Sequence, residues 1–177
     1  MGFGYIDSFR DVKVMDRSDR STATNSSTAW LRAGGMYLGI SVFGHLLWET
    51  LQLPLYTIWT IGTPREQAFA VTHCTLGDVL IALSTLTLAM AIAGRGRWPR
   101  EHFWLVAGIA MSLGVAYTAF SEWLNVVIRA SWAYSEWMPV ISLFGLNIGL
   151  SPLLQWIAVP CVAFLITKSA IDRLRRR

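Results

Sequence analysis

Five ionisable side chains interrupt stretches of the chain that are otherwise apolar: His45, Glu49, His73, Asp78 and Glu122. His45, Glu49 and Gln52 follow one another at spacings of four and three, which places them on one face of a helix. Glu122, Asn125 and Arg129 form a second stripe of this kind. Cys74 and Asp78 share a face, whereas His73 is turned away from Asp78 by about 140°, at about 100° per helical residue. Histidines and carboxylates drawn from three segments are the ingredients of a zinc, manganese or non-haem iron site. His45, Glu49, His73 and Asp78 are therefore the candidate ligands, and a divalent metal is the candidate cofactor. Without a metal, the same chemistry becomes proton transfer to and from a lipid or isoprenoid, with His45, Glu49, Asp78 and Glu122 as the candidate catalytic groups. No His-Glu-x-x-His motif, Glu-x-x-His pair or multi-histidine box is present. The different depths expected for His45 and His73 disfavour a bis-histidine haem. The alternative is a non-catalytic membrane subunit, in which these residues and the amides Gln52, Asn125 and Gln155 hold helices or a partner together.

The elements that must carry these groups are four apolar stretches, each long enough to cross roughly 30 Å of hydrocarbon at about 1.5 Å per residue. The first runs from Gly34 to Leu55 and ends at Pro54. The second runs from Phe69 to Ala93 and closes on Gly94-Arg95-Gly96-Arg97. The third spans Phe103 to Ile128, and the fourth spans Leu150 to Thr167 with Pro160 inside it. Residues 138–149 are apolar but too short to span, which predicts an interfacial or re-entrant segment between helices three and four. The expected fold class is all-α, a four-helix transmembrane bundle. Residues 1–33 read as a flexible tail, residues 34–168 as the bundle and residues 169–177 as a basic tail.

Charge supports the membrane reading. Only 15% of residues are charged, against about 25% in a soluble domain, and they are segregated at the two ends and one loop. Of the fifteen Lys and Arg, thirteen fall in the N-terminal segment (Arg10, Lys13, Arg17, Arg20, Arg32), the middle loop (Arg95, Arg97, Arg100) and the C-terminal segment (Lys168, Arg173, Arg175, Arg176, Arg177). Only Arg65 and Arg129 remain for the opposite side. Four crossings put the three basic segments on one side, which the positive-inside rule makes cytoplasmic. The implied location is the cell inner membrane, multi-pass, with both termini cytoplasmic. The partner is the lipid bilayer, with a second copy or another membrane protein as the further candidates. Nucleic acid is excluded as a partner, because the basic residues flank apolar segments instead of lining a polar face. There is no apolar signal-peptide core near the start, and Cys74 and Cys161 lie inside apolar stretches as reduced thiols.

The same orientation sets the depth of the polar groups. On a rise of about 1.5 Å per residue, His45 and Glu49 stand about 16 and 22 Å above the inner edge, and Asp78 lies about 14 Å below the outer one. Glu122 falls near the outer surface. The polar residues therefore occupy the outer half of the bilayer, and a pocket opening outward is expected.

Three segments carry a resemblance: His45-Leu-Leu-Trp-Glu-Thr-Leu-Gln-Leu-Pro-Leu-Tyr56, His73-Cys-Thr-Leu-Gly-Asp-Val-Leu-Ile81, and Ser121-Glu-Trp-Leu-Asn125 with Trp132-Ala-Tyr-Ser135 and Gly149-Leu-Ser-Pro-Leu-Leu-Gln-Trp156. Over residues 35–160 the chain resembles a group of uncharacterised bacterial multi-pass membrane proteins without an assigned activity. It is also similar, through His45, Glu49 and Glu122, to sterol-isomerase-type four-span proteins. That second resemblance implies proton transfer by a His-x-x-x-Glu step and a later intramembrane glutamate.

Overall fold

Long apolar runs with few helix breakers yield four long helices among the residues that the computed structural model describes, 17–93, 98–143 and 145–176. Arg10, Lys13, Arg95, Arg97, Phe144 and Arg177 lie outside the described residues. Helix α1 (Arg17–Gln52) is followed by a 3-10 turn at Leu53–Leu55 and the short α2 (Ile58–Ile61). Pro54 sits inside that turn, where its missing N–H ends the helix as expected. Helix α3 (Pro64–Ala93) starts with Thr63 and Glu66 capping each other: the Glu66 carboxylate accepts from the Thr63 N–H at 2.8 Å, and the Thr63 hydroxyl accepts from the Glu66 N–H at 3.3 Å. Helix α4 (Phe103–Glu122) runs into a π-helical turn, Trp123–Ile128. Helix α5 (Leu150–Arg175) continues through Pro160.

Helix α1 begins at Arg17, so the helix extends through residues 17–33, ahead of the first apolar stretch. The segment before α5 is a β-hairpin. β1 (Val140–Leu143) pairs antiparallel with β2 (Leu146–Gly149), Val140 opposite Gly149, and Gly145 has the positive φ of 78° that turns the chain. The β-branched Val140, Ile141 and Ile148 suit a short pleated element.

The four long helices form a ring in which α1 packs on α3 and α5, and α4 packs on the same two. Contacts between α1 and α5 fix an antiparallel register, with Gln52 beside Ser151, His45 beside Gln155 and Tyr37 beside Phe164. The start of α1 therefore lies at the end of α5. Phe103, which opens α4, meets Phe164 edge-on, and the Lys168 ammonium stands 5.9 Å from the Phe103 ring. Among the described residues, Arg32, Arg100 and Lys168 thus lie toward one end of the bundle. At that end the core is aromatic, with Tyr37 stacked on Phe164 at 4.3 Å and Trp98 buried beside Phe103. Small residues such as Ala82, Ala89, Ala107, Ala110 and Ala163 let the backbones approach closely.

The outward faces are apolar: Phe43 is 76% exposed and Phe69 68%. Soluble monomers do not present such surface over the whole length of their helices. Three segments, Pro64–Ala93, Phe103–Ile128 and Leu150–Arg175, are long and apolar enough to cross a membrane. They fit a membrane protein.

Candidate functional site

Helices α1, α3 and α5 contribute to one buried polar cluster. Asp78, on α3, receives the Gln155 amide N–H on Oδ2 at 2.8 Å and the Trp156 indole N–H on Oδ1 at 3.1 Å. The same Gln155 nitrogen lies 2.9 Å from His45 Nδ1, and His45 Nδ1 lies 3.4 Å from Asp78 Oδ2. The Gln155 oxygen accepts from Gln52 Nε2 at 3.3 Å, and that nitrogen also donates to Glu49 at 2.8 Å. Ser151 donates to the Gln52 carbonyl at 2.8 Å and accepts from the Trp48 indole at 3.2 Å. His45 and Gln155 are buried, as are Asp78 and Gln52, while Glu49 is half-buried.

The Gln155 amide can point in only one direction. Its NH2 faces Asp78, whose carboxylate only accepts when ionised, so its oxygen faces Gln52. The NH2 then also faces His45 Nδ1, which accepts, and the imidazole proton belongs on Nε2. The positions are set by close packing. A Cβ at Gly114 would stand 2.1 Å from the Trp156 ring, and one at Gly44 2.7 Å from Val159, so both glycines make room for α5. Trp156 also lies 5.0 Å from the His45 ring.

Glu122 belongs to a second assembly, at the end of the bundle opposite Lys168. Tyr134 donates its phenol O–H to Glu122 and accepts the Gly149 N–H at 2.9 Å. Burial first, then the hydrogen bond to Glu122, pushes the Tyr134 phenol up, so the phenol keeps its proton and remains the donor. The surrounding loops are tied together, with Thr57 N–H donating to Ala133 at 3.0 Å and Ser135 N–H donating to Leu55 at 2.9 Å. A surface hollow lined by Pro54, Thr57, Trp59, Tyr134 and Trp137 opens there. The hydrogen-bond partner of Glu122 is Tyr134, outside the cluster of His45 and Asp78.

Of the residues singled out by spacing, the structure brings His45, Glu49 and Asp78 together and places Glu122 nearby. His73 is exposed and stacks on Phe69 with ring centroids 5.5 Å apart, away from the buried Asp78. Asn125 donates to Ser121 on its own helix at 2.9 Å. Cys74 and Cys161 are free thiols. Among the described residues, no three His, Cys, Asp or Glu side chains form a group able to hold a metal ion. Sequence reasoning missed Trp48, Ser151, Trp156 and Tyr134. Part of the signal was available: Ser151 and Gln155 are four apart, as are Trp48 and Gln52, so each pair occupies one helical face.

No protein-family model, curated protein or solved structure matches this chain.

Proposed function

We propose that the chain is a multi-pass protein of the cell inner membrane that crosses the bilayer four times with both termini cytoplasmic. In this reading the His45, Glu49 and Asp78 cluster carries out acid–base chemistry on a lipid or isoprenoid in the outer half of the bilayer. The observation that carries the chemistry is the hydrogen-bonded chain that links Glu49 to Asp78 and His45 through the amides of Gln52 and Gln155, which orient all three. Two adjacent negative charges away from water repel strongly, whereas two carboxyl groups sharing one proton form a compact donor and acceptor. An apolar substrate reaches such a site from the bilayer past the half-buried Glu49. The orientation is supported by the gathering of Arg32, Arg100 and Lys168 near one end of the ring of helices and by the thirteen-to-two division of basic residues. The hairpin then lies at the outer interface. Of the residues on which the resemblance to sterol-isomerase-type proteins rests, His45 and Glu49 fall in this cluster, whereas Glu122 belongs to the Tyr134 assembly.

The test is lipid profiling by mass spectrometry of membranes grown in deuterated water, with the wild-type chain or a folded Asp78→Asn variant. A lipid species that gains carbon-bound deuterium or shifts in abundance only with the wild type is the expected result. Identical profiles would sink the acid–base reading. Loss of the conversion on chelation, with recovery on adding one divalent metal, would replace the metal-free form with a metal site.

A further inference from the structure

Helical serines and threonines normally bond back to a carbonyl one turn earlier. Thr50, Thr72, Thr75 and Thr87 do so here, at 2.7–2.8 Å. Ser41 and Thr167 do not. Each is fully buried with an unpartnered hydroxyl, and the Tyr37 hydroxyl and His45 Nε2 are also buried and unpartnered. Such atoms are costly inside a bilayer, and while Trp98 Nε1, Thr118 Oγ1 and Trp132 Nε1 are also unpartnered, these four fall along one helix contact and need a common explanation.

Their arrangement supplies one. Tyr37, Ser41 and His45 succeed one another at four-residue spacing on the inner face of α1, covering about 12 Å at about 1.5 Å per residue. Tyr37 and Ser41 are one helical turn apart, and neither hydroxyl has a hydrogen-bond partner. Tyr37 stacks on Phe164, and Thr167 lies three residues farther along the same face of α5, toward the Lys168–Asp172 pair. Lys168 and Asp172 are partly open to solvent. The four residues therefore succeed one another along the contact of α1 with α5, from the carboxylate cluster toward the basic end of the bundle.

We propose that His45, Ser41, Tyr37 and Thr167 form an internal path, bridged by water molecules, along which the buried cluster exchanges protons with the basic end of the protein. A water in such a row makes two to four hydrogen bonds and satisfies the hydroxyls on either side of it. Each transfer forms one O–H or N–H bond as the next breaks. In the step that reaches the cluster, Asp78 Oδ2 loses a proton to His45 Nδ1 and His45 Nε2 releases one to water, leaving the imidazole neutral. Running in reverse, the same step recharges the acid. The path requires the cluster to be buried and titratable, and it holds whichever molecule the cluster acts on.

The test reads the exchange of the His45 Nε2 proton with deuterated water by NMR, using the full-length protein with labelled histidine in lipid nanodiscs. His73 and His102 are assigned by substitution. Despite complete burial, the His45 proton is expected to exchange rapidly in the wild type. Tyr37→Phe and Ser41→Ala, which retain most of the packing, should each slow the exchange about tenfold or more, while Thr167→Ser, which keeps its hydroxyl, should leave it fast. A wild-type proton protected for hours would overturn the path. Exchange equally fast in Tyr37→Phe and Ser41→Ala would also overturn it, because protons would then enter from the hollow beside Tyr134. Neither result depends on whether a lipid is converted, so the path and the acid–base reading fail separately.

Discussion

The amide nitrogen of Gln155 stands 2.8 Å from Asp78 Oδ2 and 2.9 Å from His45 Nδ1, so one side chain on α5 orients ionisable groups on α3 and α1. Gln155→Leu is expected to lower unfolding stability by about 1–3 kcal/mol, since it strips a donor from two buried acceptors at once. Gln155→Glu should cost more, because a third carboxyl then joins Asp78 and Glu49. Thermal unfolding in detergent measures both. A Leu variant as stable as the wild type would mean that the amide contributes little to the cluster.

Glu49 and Asp78 should not behave as independent sites. Glu49→Gln and Asp78→Asn are each expected to destabilise, with the double variant losing less than the sum by more than about 0.5 kcal/mol, the usual tolerance for uncoupled positions. Both belong to one hydrogen-bonded network through Gln52 and Gln155, so the first substitution already disturbs the partners that the second would lose. Strict additivity in a double-mutant cycle would separate the two carboxyl groups.

The Tyr134 assembly hangs on one hydroxyl. Tyr134→Phe removes the donor to Glu122 and the acceptor of the Gly149 N–H. We expect a loss of about 1–3 kcal/mol and faster hydrogen exchange at the Gly149 amide, with helix amides at Ala82 and Leu86 unchanged. An unchanged Gly149 amide would show that the hairpin is held by other contacts.

Two glycines of α4 should respond oppositely to alanine. At Gly114 a Cβ meets the Trp156 ring, whereas at Gly108 nothing lies within 4 Å. Gly114→Ala should cost about 1–3 kcal/mol through overpacking and weaken the Trp156 bond to Asp78. Gly108→Ala should be neutral or stabilise by about 0.5–1 kcal/mol, the usual gain of alanine over glycine in a helix. Equal effects in a melting comparison would mean that Trp156 is not wedged against α4.

Reporter fusions after Gly62, Gly96, Trp137 and Arg177 should read outside, inside, outside and inside. A cytoplasmic signal after Trp137 would remove the third crossing and with it the outer location of Tyr134.

Composition and local spacing were enough to determine that this chain builds long apolar helices, because the cost of exposing or hydrating a segment depends on its own residues. The end of α1 at Pro54 and the opposed directions of His73 and Asp78 were legible for the same local reason. The common face of His45, Glu49 and Gln52 also follows from helical spacing alone. The hairpin at Val140–Gly149 was not legible, since so short an apolar run has no period that separates a strand from an interfacial turn. The partners of the cluster were not legible either. Gln155 lies 110 residues from His45 and 77 from Asp78, and what joins them is the rotation and register of α5 against α1 and α3. That register is fixed where Val159 seats against Gly44 and Trp156 against Gly114. Steric fit between distant backbones decided the site, and no local pattern encodes it.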